Sequence, residues 1–332
     1  MSVIVPAYNR EDVIEQCLRG IRSSAYKDYE LIVVDCASTD RTFPIAKLYA
    51  DAVIQLYGRA ERARARSRGV EVSKGQLIVN VDSDVVIKPD TLEIINLYFS
   101  RHQDIDALTG CLSKENPYQD FFSQYKSLYM HYHFIKLPER VNFLYGSIYA
   151  IRRVAWRDCG SYAGIADDTA LGQQLILSGR KIAFLKELQV THLKKYSLLP
   201  FIKNDFIIPF EWAKIFLQYR GFRQLGRDKT GFAHASKEQL LSVILAPSIF
   251  IFLLVSFFSH YFNLAALCLI FIWYLLNARF IKFLAQEKGF AFGSGAVFIT
   301  FLDNIIMASG IVCGLLDTLA LRRLFKERNA CL

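Results

Sequence analysis

Short apolar runs and amphipathic stretches alternate from the start of the chain. Ser2–Tyr8 reads as a buried strand. Glu11–Ser24 then carries Val13, Ile14, Cys17, Leu18 and Ile21 on one helical face. Leu31–Val34 is a second β-branched run, and Asp40 or Thr39 caps a helix reaching about Tyr49. Val53–Tyr57 reads as a short strand and Glu61–Val72 as a strongly basic helix. Leu77–Val81 is another buried strand, stopping at Asp82-Ser83-Asp84. Pro89-Asp90 opens a helix to about Ser100, with proline where a missing N–H costs nothing. This alternation predicts an α/β fold, a mainly parallel sheet covered by helices on both faces. Ligands of such sheets bind beyond the carboxyl ends of the strands. Tyr8-Asn9, Asp35 and Asp82/Asp84 all stand at such ends.

After Cys111 the alternation loosens. Tyr118–Phe134 reads as an aromatic helix, Leu144–Ile151 as a strand, and Asp168–Ser178 as a helix closed by Gly179. Ile182–Leu185 and Gln189–His192 read as short final strands. Near Leu240 the pattern changes in kind, for Gln239–Ala278 contains no Lys, Arg, Asp or Glu. Leu240–Phe258 and Phe262–Ala278 are each long enough to cross hydrocarbon, and the short Ser259–Tyr261 link makes them a tight hairpin. Arg279–Lys288 is amphipathic, and Phe292–Leu316 is a third candidate span with Asp303 in its middle. An acid there is costly unless it is buried against protein or water. The expected division is therefore an α/β domain over 1–195, basic and aromatic interface helices over 196–238, and a membrane region over 239–332. Its spans fall near 240–258, 262–278 and 292–316, before a short basic tail.

Composition agrees with that segregation: 53% of the 332 residues are hydrophobic and 21% charged, which excludes a disordered chain. The net charge of +9 suits either nucleic acid or an anionic membrane face. Its distribution favours membrane lipids, with no nucleic-acid partner expected. Lys194, Lys195, Lys203, Lys214, Arg220, Arg223, Arg227 and Lys229 are interleaved with rings from Tyr196 to Tyr219, directly before the apolar region. The seven cysteines are scattered without a CxxC, as for reduced thiols facing the cytosol. The opening Met1-Ser2-Val3-Ile4-Val5-Pro6 gives no expectation of a secretory leader. The basic α/β domain and Arg279–Lys288 are expected on the cytoplasmic side. A complete third span would put Arg322, Arg323, Lys326 and Arg328 opposite, against the positive-inside tendency.

Asp82-Ser83-Asp84 carries the most specific chemistry. Two carboxylates flanking one residue at a strand end suit Mg2+ or Mn2+ held between protein and a diphosphate. Alone, the same triplet also reads as a solvated turn. It comes, however, within an ordered set: Ser2 to Asn9, Val33 to Asp40, Ala65-Arg66-Ser67-Arg68-Gly69, Asp82-Ser83-Asp84, Gly146-Ser147 with Arg152-Arg153, and Ala166-Asp167-Asp168. Together these resemble the family 2 glycosyltransferases of the GT-A fold, an inverting, metal-dependent group, over roughly residues 2–195.

The resemblance implies a nucleotide-diphosphate sugar as donor. Pro6, Ala7, Tyr8 and Asp35 match positions that hold its nucleoside, and Arg66 matches a basic position near the donor. Asp82 and Asp84 match the metal and diphosphate motif. Asp168 matches the second acid of the family's acidic pair, the general base on the acceptor hydroxyl. His192 resembles a late histidine near the diphosphate, a candidate third metal ligand. The sequence departs from the pattern at Cys36, where a second Asp is usual, and at Asp167, where Glu is common. No QxxRW segment follows Asp168, which argues against a processive synthase.

Membrane anchoring points to a lipid-linked or membrane-associated acceptor. A polyprenyl-phosphate sugar synthase is a narrower alternative, and a membrane-tethered binding protein without turnover is another. A Rossmann dehydrogenase is disfavoured because the first βα turn lacks GxGxxG. His131 and His133 diverge on a helix and read as packing residues. Asp303 and Asn304 read as a polar contact between spans or part of a lipid path.

Overall fold

The computed structural model describes residues 1–57, 61–159, 166–219, 235–258 and 261–330, with side chains to 320. Arg220, Arg223, Arg227, Lys229 and the Ser259-His260 part of the expected hairpin link lie outside the described residues, as do the side chains of Arg322, Arg323, Lys326 and Arg328. The chain forms two compact units. The first comprises residues 1–119 and 130–195, the second residues 120–129 and 196–332.

In the first unit β1 (Ser2–Ala7), α1 (Ile14–Arg22), β2 (Glu30–Asp35), α2 (Thr42–Tyr49), β3 (Ala52–Gln55), α3 (Arg62–Val72) and β4 (Leu77–Val81) succeed one another as the hydrophobic pattern predicts. β5 (Val85–Val86), α4 (Thr91–Arg101) and β6 (Ala107–Leu112) follow. The remaining elements are α5 (Phe121–Phe134), whose first part groups with the second unit, then β7 (Arg140–Val141), β8 (Ile148–Arg152), α6 (Arg153–Cys159), α7 (Asp167–Leu177) and β9 (Ile182–His192).

The strands form one sheet in the order β3-β2-β1-β4-β8-β6-β9-β5, with β7 also on β9. Its first half is wholly parallel, whereas β8 runs antiparallel between β4 and β6. β1, β2 and β4 are buried along nearly their whole length, which is why their sequences are continuous apolar runs. Ile14, Cys17, Leu18 and Ile21 are all buried, so α1 packs with the face its spacing predicts.

Three local readings change. The two short final strands are one strand, β9, whose pairing with β6 passes from Thr109↔Phe184 to Cys111↔Gln189, so that Leu185–Leu188, with exposed Lys186 and Glu187, form a bulge between the two expected segments. β6, unrecognised in the sequence, is fully buried although Thr109 and Gly110 dilute its apolar run. The strand expected over Leu144–Ile151 starts only at Ile148, because Tyr145, Gly146 and Ser147 form a turn over the site.

The second unit is helical: the start of α5, then α8 (Leu198–Gln218), α9 (Lys237–Ser256), α10 (Tyr261–Lys288) and α11 (Phe290–Ala330). Ser236 caps α9 by accepting the Gln239 N–H at 3.1 Å. Lys237–Ser256, Tyr261–Lys288 and Phe290–Ala320 are each long and apolar enough to cross a membrane. Arg279–Lys288 continues α10 rather than forming a separate helix. On α11, Gly310 and Gly314 meet α8 so closely that a Cβ on either would lie 2.3 Å from the Phe206 or Phe210 carbonyl oxygen. Small residues four apart let the two backbones approach. Asp303 and Asn304 are buried on the stripe of α11 that also carries Thr300 and Met307, which meet Tyr125 and Tyr129 of α5.

Candidate active site

The carboxyl ends of β1, β2 and β3 are in register, so Ala7, Asp35 and Gln55 stand in one row. Beyond that row two loops are joined. Asn9, at φ 47°, donates its N–H to Ser38 Oγ at 2.9 Å and accepts the Thr39 N–H on Oδ1 at 2.9 Å. Pro6 lies inside β1 opposite Val34, and Tyr8 is 43% exposed just past the strand end. Asp35 is fully buried. Its Oδ2 accepts from the Ser38 N–H at 3.1 Å and from Gln55 Nε2 at 3.2 Å, while Oδ1 has no hydrogen-bond partner among the described residues. Cys36 is buried beside it. Burial and then the Asp35 charge push the thiol up to about 11, so it remains neutral and cannot replace a carboxylate.

At the end of β4 the two aspartates of the triplet have different partners. Asp82 accepts from Arg66 at 2.7 Å, with Arg62 4.0 Å away. Asp84 faces His192 Nε2 at 3.5 Å and Arg10 at 3.9 Å. The short β5–β9 pairing sets this second arrangement, with Val85 opposite His192 and the Leu193 N–H donating to the Asp84 carbonyl at 2.7 Å. Burial opposes ionisation of Asp84, but His192, Arg10 and Lys194 outweigh it and hold the carboxyl well below the usual range.

Arg66 is the centre of the arrangement. Although only 1% exposed, its guanidinium bonds Asp82, Asp167 at 2.6 Å, Asn80 Oδ1 at 3.0 Å and the Gly146 carbonyl at 3.4 Å. Asp167 thus turns inward as the arginine's partner, and Asp168 is left half-buried beside it. One Asp168 oxygen accepts the Gly146 N–H at 2.6 Å and the other the Thr169 N–H at 2.7 Å. A Cβ at position 146 would sit 2.7 Å from Asp168 Oδ2 and 3.0 Å from Arg66, so any larger residue there would displace the acid or the guanidinium. Burial, then the Asp167 charge, push the Asp168 carboxyl up to about 6 against the pull of Arg66 and Arg62.

The structure brings Arg66, Asp82, Asp84, Asp168 and His192 to one end of the sheet, and sets Pro6, Ala7, Tyr8 and Asp35 on the adjoining strands. Sequence reasoning missed Arg10, Arg62, Gln55 and Asn80. Asn80 had a signal: an amide within Leu77–Val81, on the same strand face as Asp82. His131 is buried and its Nδ1 meets the Leu112 carbonyl at 2.9 Å, away from these residues. Among the described residues no three His, Cys, Asp or Glu side chains close around one point as a ready-made metal site.

Known proteins match this frame. Residues 2–160 match the family model for glycosyl transferase family 2. Glycosyltransferase GlyG of Streptococcus pneumoniae is 30% identical over 115 residues, 33% of this chain and 38% of GlyG. The matched stretches span about a third of the length of such curated relatives. The mannosyltransferase PcManGT of Pyrobaculum calidifontis, solved with GDP-Man and Mn2+, superposes with a TM-score of 0.56 at 17% identity, covering 96% of this chain and 86% of that one. Glucosyl-3-phosphoglycerate synthase of Mycobacterium tuberculosis, solved with Mn2+, UDP and glucosyl-3-phosphoglycerate, gives 0.50 at 18% identity over 66% of this chain and 79% of that one. At such identities the likeness shows the fold, which is GT-A. The α/β unit, whose residues 2–160 match that model, is thus a glycosyltransferase family 2 domain, and apolar helices follow it.

Proposed function

We propose that the protein transfers a single sugar, with inversion, from a nucleotide-diphosphate sugar to a lipid-linked acceptor at the cytoplasmic face of a membrane. The observation that carries this reading is Asp168. A carboxylate fixed by two backbone N–H groups and titrating near 6 is poised to accept a proton at neutral pH. In the reaction the acceptor oxygen bonds to the anomeric carbon as its proton passes to Asp168. The bond from that carbon to the diphosphate breaks, and its electron pair leaves with the nucleoside diphosphate. Arg10, Arg62 and Arg66 surround Asp82 and Asp84 with positive charge that suits a departing diphosphate.

The nucleoside is assigned to the row Ala7, Asp35 and Gln55, with Pro6 and Tyr8 beside it. The unpartnered Asp35 oxygen supports this, because a buried acceptor gains most from a donor group on a ligand. Two carboxylates and an imidazole, from Asp82, Asp84 and His192, suit Mg2+ or Mn2+ in donor type. Asp82 and Asp84, with His192 beside Asp84, are the residues that would hold such an ion next to the diphosphate. A divalent ion there supplies Lewis-acid neutralisation of the leaving group. Three apolar helices support an acceptor delivered from the bilayer, and the basic α/β unit together with Arg279–Lys288 supports the cytoplasmic orientation, against the basic cluster at 322–328.

The test is nucleoside diphosphate release by detergent-solubilised protein offered UDP- and GDP-sugars with Mg2+, Mn2+ or EDTA, with and without membrane lipid extract. Release from one donor, dependent on metal and lipid and absent in Asp84→Ala, is expected. Nucleotide binding without release from any donor would replace this reading with a non-catalytic one.

A further inference from the structure

Asn80 lies two residues before Asp82 on β4, is 1% exposed, and is engaged at both ends of its amide. Nδ2 donates to the Gly146 carbonyl at 2.9 Å, and Oδ1 accepts from Arg66 Nε at 3.0 Å. The orientation is unambiguous, because an arginine nitrogen only donates and a carbonyl only accepts. Each contact reaches the reacting groups in one further step. The Gly146 N–H holds Asp168 Oδ2 at 2.6 Å, and Arg66 joins Asp167 to Asp82. A polar side chain in the interior of a buried strand costs free energy unless its hydrogen bonds are made. Packing gives no reason for one here, since Ile78, Val79 and Val81 of the same strand are apolar and fully buried.

We propose that Asn80 is a positioning residue for the transfer: its amide fixes the Gly146 carbonyl, and across the Cα the turn whose Gly146 N–H, on the preceding peptide, holds the Asp168 carboxylate; it also fixes the plane of Arg66. The inference rests on the reading of Asp168 as base. Its two contacts are not equivalent in consequence. Arg66 keeps Asp82 and Asp167 when Asn80 is lost, so the guanidinium stays anchored. The Gly146 carbonyl keeps only the longer Arg66 contact of 3.4 Å, so the turn at Gly146, whose N–H holds Asp168, is the part loosened. Asn80 therefore acts on the chemical step rather than on donor affinity.

Asn80→Asp has the same shape and keeps an acceptor for Arg66, but sets an oxygen against the Gly146 carbonyl. Asn80→Ser is small, polar and too short for either contact. Full-length protein in detergent, with the UDP- or GDP-sugar that the wild type turns over, gives kcat and donor KM, and calorimetry gives affinity for UDP and GDP. Both variants are expected to lower kcat on the order of 10- to 100-fold, as for a misplaced catalytic group, with donor KM and nucleotide affinity unchanged. Wild-type kcat in either variant would overturn the proposal. So would a loss confined to donor KM, or a fall in kcat matched by lost nucleotide binding. Asp168→Asn, measured in parallel, separates the two readings. If it remains active, the base assignment fails and this inference with it; if it is inactive while Asn80→Asp is not, only the role of Asn80 fails.

Discussion

Arg66 in the α/β unit and Lys126 in the helical unit are both buried cations, and their surroundings differ in kind. Arg66 spreads its donors over two carboxylates, a side-chain amide and a backbone carbonyl, and one partner, Asp82, keeps 14% of its side chain open to solvent. Among the described residues Lys126 pairs with one carboxylate, Asp205, which a second buried acid, Asp303, adjoins, with the rings of Tyr129 and Phe201 at 5.0 and 5.8 Å. The first network opens onto the strand ends, where an arriving anion competes for the same donors. The second is enclosed by rings and helices, with Asp205 and Asp303 both buried beside the lysine. Buried charge alone does not mark a functional centre. A buried charge whose partners reach solvent does.

The sharpest way to break this comparison is Asp168→Asn, which removes the proton acceptor without changing shape. Turnover should fall by roughly 10²- to 10⁴-fold. The wild type should lose activity as pH falls through about 6, where Asp168 becomes protonated. The sign for stability is opposite to that of an ordinary paired acid. Because the folded state raises this pKa, it binds the proton more tightly than the unfolded chain. Stability from this group is therefore greatest at low pH and declines between the unfolded carboxylate range and about 6. Asp168→Asn sets an amide NH2 against one of the two backbone N–H groups at every pH, so the check is the pH trend: its melting temperature relative to the wild type should rise as pH is raised to about 6, and no such rise would refute the raised pKa.

Lys126→Met tests the closed pair. It leaves Asp205 buried without its cation and should cost about 3–5 kcal/mol in thermal unfolding. Adding Asp205→Leu should recover much of that loss; failure to recover would mean that Lys126 contributes through more than its charge. A smaller effect is expected of Gly314→Ala, which places a methyl 2.3 Å from the Phe210 carbonyl oxygen. About 1–3 kcal/mol should be lost as α8 and α11 adjust, and an unchanged melting temperature would show that this packing yields without cost.

The parallel half of the sheet was legible in the sequence because its strands are buried on both faces, so each reads as an unbroken apolar run ending at a polar residue. The expected acids stand at those ends. What the sequence hid depends on pairing at long range. Arg66 and Asp167 are 101 positions apart, and no local pattern announces that the first acid of the pair turns inward to the arginine while the second faces outward. Asn80 was visible as an irregularity in its strand, but its meaning depends on the Gly146 turn, 66 positions on. The antiparallel course of β8 was hidden for the same reason, and β9 read as two strands because a bulge carrying exposed charges shifts its register on β6 midway.

The row formed by Ala7, Asp35 and Gln55 bears on how such a protein changes its preferences. The three residues come from three strands whose bodies are committed to the core, yet each is the terminal residue of its strand. Exchange at Gln55, or at Cys36 immediately past the row, alters what the end of the sheet presents while leaving the apolar ladders behind it untouched. On the proposed seating of the nucleoside at this row, selectivity and foldability rest on different residues, so single substitutions at the strand ends change donor preference without touching the core.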